Sequence, residues 1–326
     1  MTEGNLRRQP VFCDKPLDGF IEIDGIFSLY PVENWLKASW AADSGAEPSS
    51  PSVPYGAVGL RDCGPPFPAY LEVSVVESGD ISIDARELDQ GFKEKAFLLS
   101  LAIVGVRPAH FQPNFPVWGR AVSASLADIR LFQPSFGLPE EISLSDYRAF
   151  GGAATVYSGE ASYLSSLAPY TENRILVPDY LGAFFSKYQL LPRKLKADFL
   201  RAAGLFSQAN MMRRLGMDSL QTYVSAVEAL FDEAKRVQCE SCGQFAYKLA
   251  DRYQNFMDSF SQFSGSTPFS HKSTYGLRSK IVHGKCVPKI DSFILDEKYH
   301  PKQEWAAEAL TRRALVNWLL ESREKH

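Results

Sequence analysis

The feature that most constrains the fold of this 326-residue chain is helical periodicity in its second half. Apolar residues recur at intervals of three and four in two segments. They are Leu195, Phe199, Ala203 and Phe206 in the first segment, and Leu220, Tyr223, Val224, Val227, Leu230 and Phe231 in the second. Each stripe predicts an amphipathic helix with one buried face. Because one stripe is buried only against another, residues 177–326 are predicted to form a bundle of about four or five helices.

Three further helices complete the predicted bundle. One ends near Gly265, and the last runs over residues 302–323. Between them a helix begins within 268–273 and stops at Gly284, a residue suited to the left-handed conformation that ends helices. Asp218 is the predicted N-cap of the helix that starts at Leu220. The helix that ends near Gly265 has its apolar stripe at Phe245, Leu249, Phe256, Phe260 and Phe263.

The first half carries strand and loop signals instead. Segments rich in proline, at 44–54 and 62–68, are predicted loops. Predicted strands, which alternate or form short apolar runs, lie at 20–30, 70–76, 81–85 and 98–106. The expected fold class is therefore α+β, with a β-rich domain at 1–176 followed by an all-α bundle at 177–326. The acidic first domain is assigned a sensing or regulatory function.

Charge is divided unevenly between the halves. Residues 1–184 contain 13 Lys and Arg against 23 Asp and Glu, a net charge of −10, whereas residues 185–326 contain 22 against 15, a net charge of +7. A polyanion such as RNA is attracted to the second half and repelled by the first. The same asymmetry also suits two halves that dock on each other, and the sequence favours neither interpretation.

Location and cofactors are constrained by what the sequence does not contain. The first ten residues lack the apolar core of a secretory signal, and the longest apolar run, 96–106, is shorter than the roughly 20 residues that cross a bilayer. Five cysteines, an odd number, argue for reduced thiols. Cys239 and Cys242 have no second pair to complete a zinc site. We therefore expect a cytoplasmic protein without membrane association, metal or cofactor.

Arg278 and His283 are the candidate catalytic residues, near the end of a predicted helix. Cleavage of RNA without a metal needs a group that moves protons and a positive charge beside the phosphate. Histidine titrates near neutral pH, and arginine holds two phosphate oxygens at once. The spacing alone is a weak signal. A solvated arginine and a histidine that caps the helix form the structural alternative.

The surrounding sequence resembles a known family. The decapeptide 275–284, Tyr-Gly-Leu-Arg-Ser-Lys-Ile-Val-His-Gly, is similar to the motif of the HEPN superfamily and of its ApeA-like group. Segments 194–206 and 220–231 resemble the helices that precede this motif. The resemblance covers roughly the last 140 to 150 residues. Ser279 stands where many HEPN ribonucleases carry an amide or an acidic residue.

This resemblance implies a metal-independent endoribonuclease of antiviral defence or of a toxin system, with a phage-derived trigger or an antitoxin as partner. It also implies a homodimer in which two motif helices place both copies of Arg278 and His283 in one cleft. Helix geometry adds a reason, because five positions turn the chain by about 500°, so the two side chains diverge by about 140°. The alternative is a catalytically silent HEPN module that serves as an RNA- or protein-binding scaffold.

Five neighbouring residues are assigned supporting functions. Glu228 matches an acidic position of related helices and is expected to orient the arginine or the histidine of the motif; a surface carboxylate is the alternative. Lys280 and Lys285 are candidates to bind phosphates on either side of the scissile one, although most lysines are merely solvated. Ser279 is a polar neighbour of the site. Tyr275 is interpreted as a base-stacking residue, as part of the dimer seam or as a core residue.

Two expectations concern exposure. The motif residues are expected to lie at the surface, so that replacing them leaves stability almost unchanged. The apolar residues Leu277, Ile281 and Val282 are candidates for a two-fold seam between subunits, with burial in their own bundle as the alternative.

Overall fold

The computed structural model describes residues 6–13, 17, 19–23, 26–31, 67–74, 85–108, 118–121, 129–132, 153, 154, 156, 157, 174–214, 217–231, 237, 238, 245, 246, 249–261, 270–286, 289, 290, 293, 294 and 301–321. The chain divides into two compact units, Met1–Tyr157 with Glu172–Pro178, and Ser158–Thr171 with Asp179–His326. Helices and antiparallel strands both occur, which agrees with the α+β class. The predicted boundary after residue 176 stays a prediction, and the predicted loop at 44–54 lies outside the described residues.

The first unit contains a five-stranded antiparallel sheet. Its strands are β1 (Leu6–Cys13), β2 (Ile21–Ile23), β3 (Phe27–Pro31), β4 (Phe67–Ser74) and β5 (Val106–Pro108), in the order β2-β3-β4-β1-β5. β1 and β4 pair from Leu6 opposite Ser74 to Cys13 opposite Phe67. Burial raises the pKa of the Cys13 thiol to about 12, so this cysteine stays protonated and unreactive.

A helix replaces one predicted strand of this unit. Residues 98–106 were expected to form a buried strand, but α1 (Ala85–Ala102) continues through their first part and only the end lies in β5. A short apolar run fits a buried helix as well as a buried strand, and α1 packs on β4 and β5. Gly105, at φ 87°, turns the chain from the helix into β5. Ala85 also belongs to α1, whereas 81–84 lie outside the described residues.

Four further short strands belong to the described part of the first unit. β6 (Trp118–Ala121) and β7 (Ile129–Phe132) pair in antiparallel orientation. β8 (Val156–Tyr157) and β9 (Val177–Pro178) pair in parallel orientation.

The second unit is a helical bundle. Its helices are α2 (Leu181–Leu190), α3 (Arg193–Arg214), α4 (Leu220–Glu228), α5 (Leu249–Phe260), α6 (His271–Val282) and α7 (Pro301–Glu321). The predicted helices at Leu220, at the motif and at 302–323 are confirmed. In the described part of the chain, no helix combines the length and apolarity needed to cross a membrane.

Two small strand pairs correct the expectation of an all-α second half. β10 (Val237–Gln238) pairs with β11 (Phe245–Ala246), and β12 (Lys289–Ile290) pairs with β13 (Phe293–Ile294). Phe245 therefore lies in a strand and α5 begins only at Leu249. A lone aromatic at a helix-compatible interval fits either structure, and here the pairing with β10 decides.

Two helices hold the bundle together. α7 packs against α2, α3, α4 and α5, while α4 packs against α3, α5, α6 and α7. Between α4, α5 and α7 lies a core cluster of buried residues: Val224, Val227, Tyr253, Met257, Leu310 and Ala314. The motif helix α6 packs on α4 and α5.

The N-terminus of α4 differs from its prediction. Ser219, and not Asp218, occupies the N-cap position, and its backbone N–H and hydroxyl both donate to Glu304 Oε1, at 3.0 and 2.8 Å. Asp218 accepts a longer bond, 3.3 Å, from the N–H of Leu220. Glu304 comes from α7 and is 2% exposed, so a buried carboxylate satisfies the helix end. A partner 85 residues away has no local sequence signal.

Candidate functional site

Both ends of α6 are fixed by local capping. At the start, the Ser270 side chain accepts a 3.1 Å hydrogen bond from the N–H of Ser273. At the end, Gly284 adopts φ 65° and donates to the carbonyl of Ile281 at 3.0 Å, while Lys285 donates to the carbonyl of Lys280 at 2.7 Å. These two bonds form a Schellman motif and confirm the predicted stop at Gly284. The cap leaves His283 as the last residue before the left-handed turn.

Arg278 lies on the face of α6 that turns toward α4. Its Nη2 donates to Glu228 Oε2 at 3.1 Å, and the side chains of Arg278 and Glu228 are only 21% and 17% exposed. Within the described residues, no acceptor meets its buried Nε. The expectation that both motif residues lie at the surface is therefore wrong for Arg278. The placement of Glu228 beside Arg278 agrees with the contact expected from the resemblance, and its role stays a prediction.

Tyr275 joins the same cluster. Its hydroxyl donates to Glu228 Oε1 at 3.1 Å, and its ring centroid lies 5.5 Å from the guanidinium carbon of Arg278. The buried ring of Tyr253 lies behind it, with centroids 5.3 Å apart. Burial, and then the charge of Glu228, raise the pKa of Tyr275, so its hydroxyl remains a donor at neutral pH. Tyr275 also packs against the core cluster, which agrees with its interpretation as a core residue.

His283 lies apart from this cluster. Its side chain is exposed at the end of α6, and its backbone N–H donates to the carbonyl of Ser279 at 3.1 Å. Among the described residues, no hydrogen bond, ion pair or ring contact joins it to Arg278. The divergence of about 140° expected from helix geometry stays a prediction. One copy of α6 does not bring the two motif residues together.

The other predicted residues divide between two faces of α6. Lys280 and Lys285 are exposed near His283, and Ser279 is half-buried. Leu277 is buried within its own chain, Ile281 is half-buried and Val282 is 45% exposed. Of the three apolar residues considered for a seam between subunits, Leu277 belongs to the bundle and Val282 remains open to solvent.

No family model, no curated protein and no solved structure matches the chain. Within the described residues, no group of three or more His, Cys, Asp or Glu side chains is placed to hold a metal ion. Cys239 and Cys242 lie outside the described residues, and Cys286 is buried.

Tyr253 is the residue of this cluster that the sequence analysis did not single out. It lies four positions after Leu249 and three before Phe256, on the apolar stripe of α5. That spacing was a sufficient signal for burial. It gave no signal for the contact with Tyr275, because the two rings come from different helices.

Proposed function

We propose that this chain is a metal-independent endoribonuclease that cleaves RNA at a site built from Arg278 and His283. The observation that supports the proposal most is the ion pair between Arg278 and Glu228, since the resemblance implies an acidic residue at that position. The basic helical half then binds the RNA, and the acidic β-rich half serves in sensing or regulation. Antiviral defence or a toxin system is the setting that the resemblance suggests.

The chemistry follows from the two side chains. Glu228 accepts from Nη2 of Arg278. In this proposal the other terminal nitrogen, Nη1, binds a phosphate oxygen. The charge of the guanidinium then stabilises the negative charge that develops on the phosphorane. His283, exposed at the end of α6, moves protons between the 2′-hydroxyl and the leaving oxygen.

This proposal needs two subunits because helix geometry predicts that Arg278 and His283 point about 140° apart. A subunit carrying Arg278→Ala and a subunit carrying His283→Ala are each expected to be inactive. After dissociation and reassociation of a mixture, heterodimers keep one intact arginine and one intact histidine, and part of the activity should return. Full activity of a monomer in sedimentation experiments contradicts the composite site.

The direct test is incubation of purified protein with total RNA and analysis of the cleaved ends. Cleavage should persist in a chelator and leave 2′,3′-cyclic phosphates, whereas products with 5′-phosphates and strict magnesium dependence contradict the mechanism. Arg278→Lys should also fail, since a point charge does not reproduce the planar fork. Arg201→Ala is the matched control, because Arg201 is exposed on α3 and pairs only with Asp198 at 3.2 Å among its described neighbours.

A scaffold without catalytic activity is the second candidate. It is favoured by the engagement of Arg278 with Glu228 and Tyr275 inside the same bundle, an arrangement that stabilises the fold whether or not RNA is cut. RNA binding by native protein without any cleavage, unchanged by His283→Ala, would establish it.

A further inference from the structure

We infer that Tyr275 is a positioning residue that fixes the Arg278 guanidinium through two separate contacts. This inference rests on the proposed ribonuclease function. The first contact is direct, because the tyrosine ring lies 5.5 Å from the guanidinium carbon. The second runs through Glu228, which accepts from Tyr275 at Oε1 and from Arg278 at Oε2. Each carboxylate oxygen therefore accepts one hydrogen bond from the described residues, and the plane of the carboxylate is held between Tyr275 and Arg278.

The packing of the Tyr275 ring explains why this residue suits a positioning role. Its ring packs against the core cluster and against buried Tyr253, with centroids 5.3 Å apart at an interplanar angle of 43°. A ring held from behind cannot swing away from Arg278 without opening the core. Burial and the charge of Glu228 raise the pKa of Tyr275, so the hydroxyl remains a donor across the neutral range.

Substitution separates the two contacts. Tyr275→Phe keeps the ring and removes the hydroxyl, which frees the Glu228 carboxylate to rotate. A single hydrogen bond predicts a fall in kcat of about two- to tenfold, with KM nearly unchanged because the grip matters most in the transition state. Tyr275→Leu removes both contacts and should lower kcat further. Tyr223→Phe is the control, since Tyr223 lies on the same helix as Glu228 but donates to Asn210, at 2.6 Å.

A double-mutant cycle tests whether the hydroxyl acts through Glu228. In a Glu228→Gln background, Tyr275→Phe should lower kcat less than it does in the native protein, because the carboxylate that it orients is gone. Equal effects in both backgrounds overturn this route. An unchanged kcat in Tyr275→Phe, in a protein that cuts RNA, overturns the role altogether.

Failure of the inference is distinguishable from failure of the proposed ribonuclease. The Nε–Hε group of Arg278 is buried, so its NMR signal should be resolved and slow to exchange with water, and its loss in Arg278→Lys assigns it. We expect this signal to broaden or exchange faster in Tyr275→Phe and to stay unchanged in Tyr223→Phe. This measurement needs no cleavage. An unchanged signal in Tyr275→Phe overturns the positioning role even if the protein is a ribonuclease, and absence of cleavage with a changed signal refutes only the ribonuclease.

Discussion

Replacing Arg278 and replacing His283 should have very different effects on stability, although both belong to one motif. Arg278 donates to the partly buried carboxylate of Glu228 and lies over Tyr275, whereas His283 is exposed after the last turn of its helix. A hydrogen bond to a charged group contributes about 1.5–3 kcal/mol, and a cation over an aromatic ring about 0.5–1 kcal/mol. Because both partners keep some contact with solvent, the lower part of the range applies, and we expect Arg278→Ala to cost about 2–3 kcal/mol.

The size of this effect makes it measurable by thermal unfolding. For a unit of this size, about 2–3 kcal/mol lowers Tm by roughly 4–12 °C, whereas His283→Ala should leave Tm nearly unchanged. The Tm of the helical unit is measured by calorimetry on the full chain. Part of the loss comes from the carboxylate of Glu228 left without its partner. Adding Glu228→Ala to Arg278→Ala should therefore cost less than the sum of the two single substitutions.

Two results would refute this reasoning. One is an equal, small change in Tm for both single variants, which would place Arg278 at the surface. The other is strict additivity of Arg278→Ala and Glu228→Ala, which would show that the ion pair contributes nothing in solution. Arg278→Lys should fall between native and alanine, because the charge remains while the planar contact with Tyr275 is lost.

Four further substitutions test other parts of the bundle. Gly284→Ala should lower the free energy of unfolding, measured with a chemical denaturant, by about 1–2 kcal/mol, because its φ of 65° is left-handed. Gly276→Ala should raise it by about 0.5–1 kcal/mol, because Gly276 lies in the middle of α6 and nothing crowds an added Cβ there. Burial lowers the pKa of His271 from its ordinary 6.5 despite nearby Asp258, so the free energy of unfolding should fall as the pH drops below about 6.5. His271→Asn should reduce this dependence on pH, measured by unfolding curves recorded at several pH values. Glu304→Ala should cost about 1–3 kcal/mol by the same measurement, because it leaves the buried start of α4 without an acceptor, and a neutral result would discard the capping role.

Local rules predicted the parts of this fold whose causes are local. The stop of α6 at Gly284 follows from the need for a left-handed residue, and the stripe from Leu220 follows from helical spacing. The predictions that were wrong depend on packing against other elements of the fold. The prediction of Asp218 as the N-cap of α4 was wrong because the acceptor at that helix end comes from α7. The prediction of a strand at 98–106 was wrong because packing on β4 and β5 decides between a buried helix and a buried strand.

The same distinction applies to the site. The contact between Glu228 and Arg278, 50 residues apart, was expected from a resemblance and not from spacing, and the Tyr275 hydroxyl bond was not expected at all. Sequence placed Arg278 and His283 near the end of one helix, and the structure has Arg278 in α6 and His283 directly after it. The divergence of about 140° between them stays a prediction. Sequence could not tell which of them faces the bundle, because that depends on how α6 is seated on α4 and α5.

Burial of Leu277 in its own bundle leads to a last prediction about the proposed dimer. With Leu277 unavailable, a seam along α6 has to use the exposed face, which carries Lys272, Lys280 and His283 beside the open Val282. Two copies related by a two-fold axis bring like charges together, and such repulsion is screened within about 10 Å at moderate salt. We therefore expect dimerisation, measured by sedimentation, to strengthen as salt is raised, and to strengthen at low salt when a non-cleavable RNA is added. Lys280→Gln should reduce this salt dependence, with exposed Lys194→Gln on α3 as the control. A dimer that dissociates as salt rises would show that opposite charges hold it, and would exclude this face of α6 as the seam.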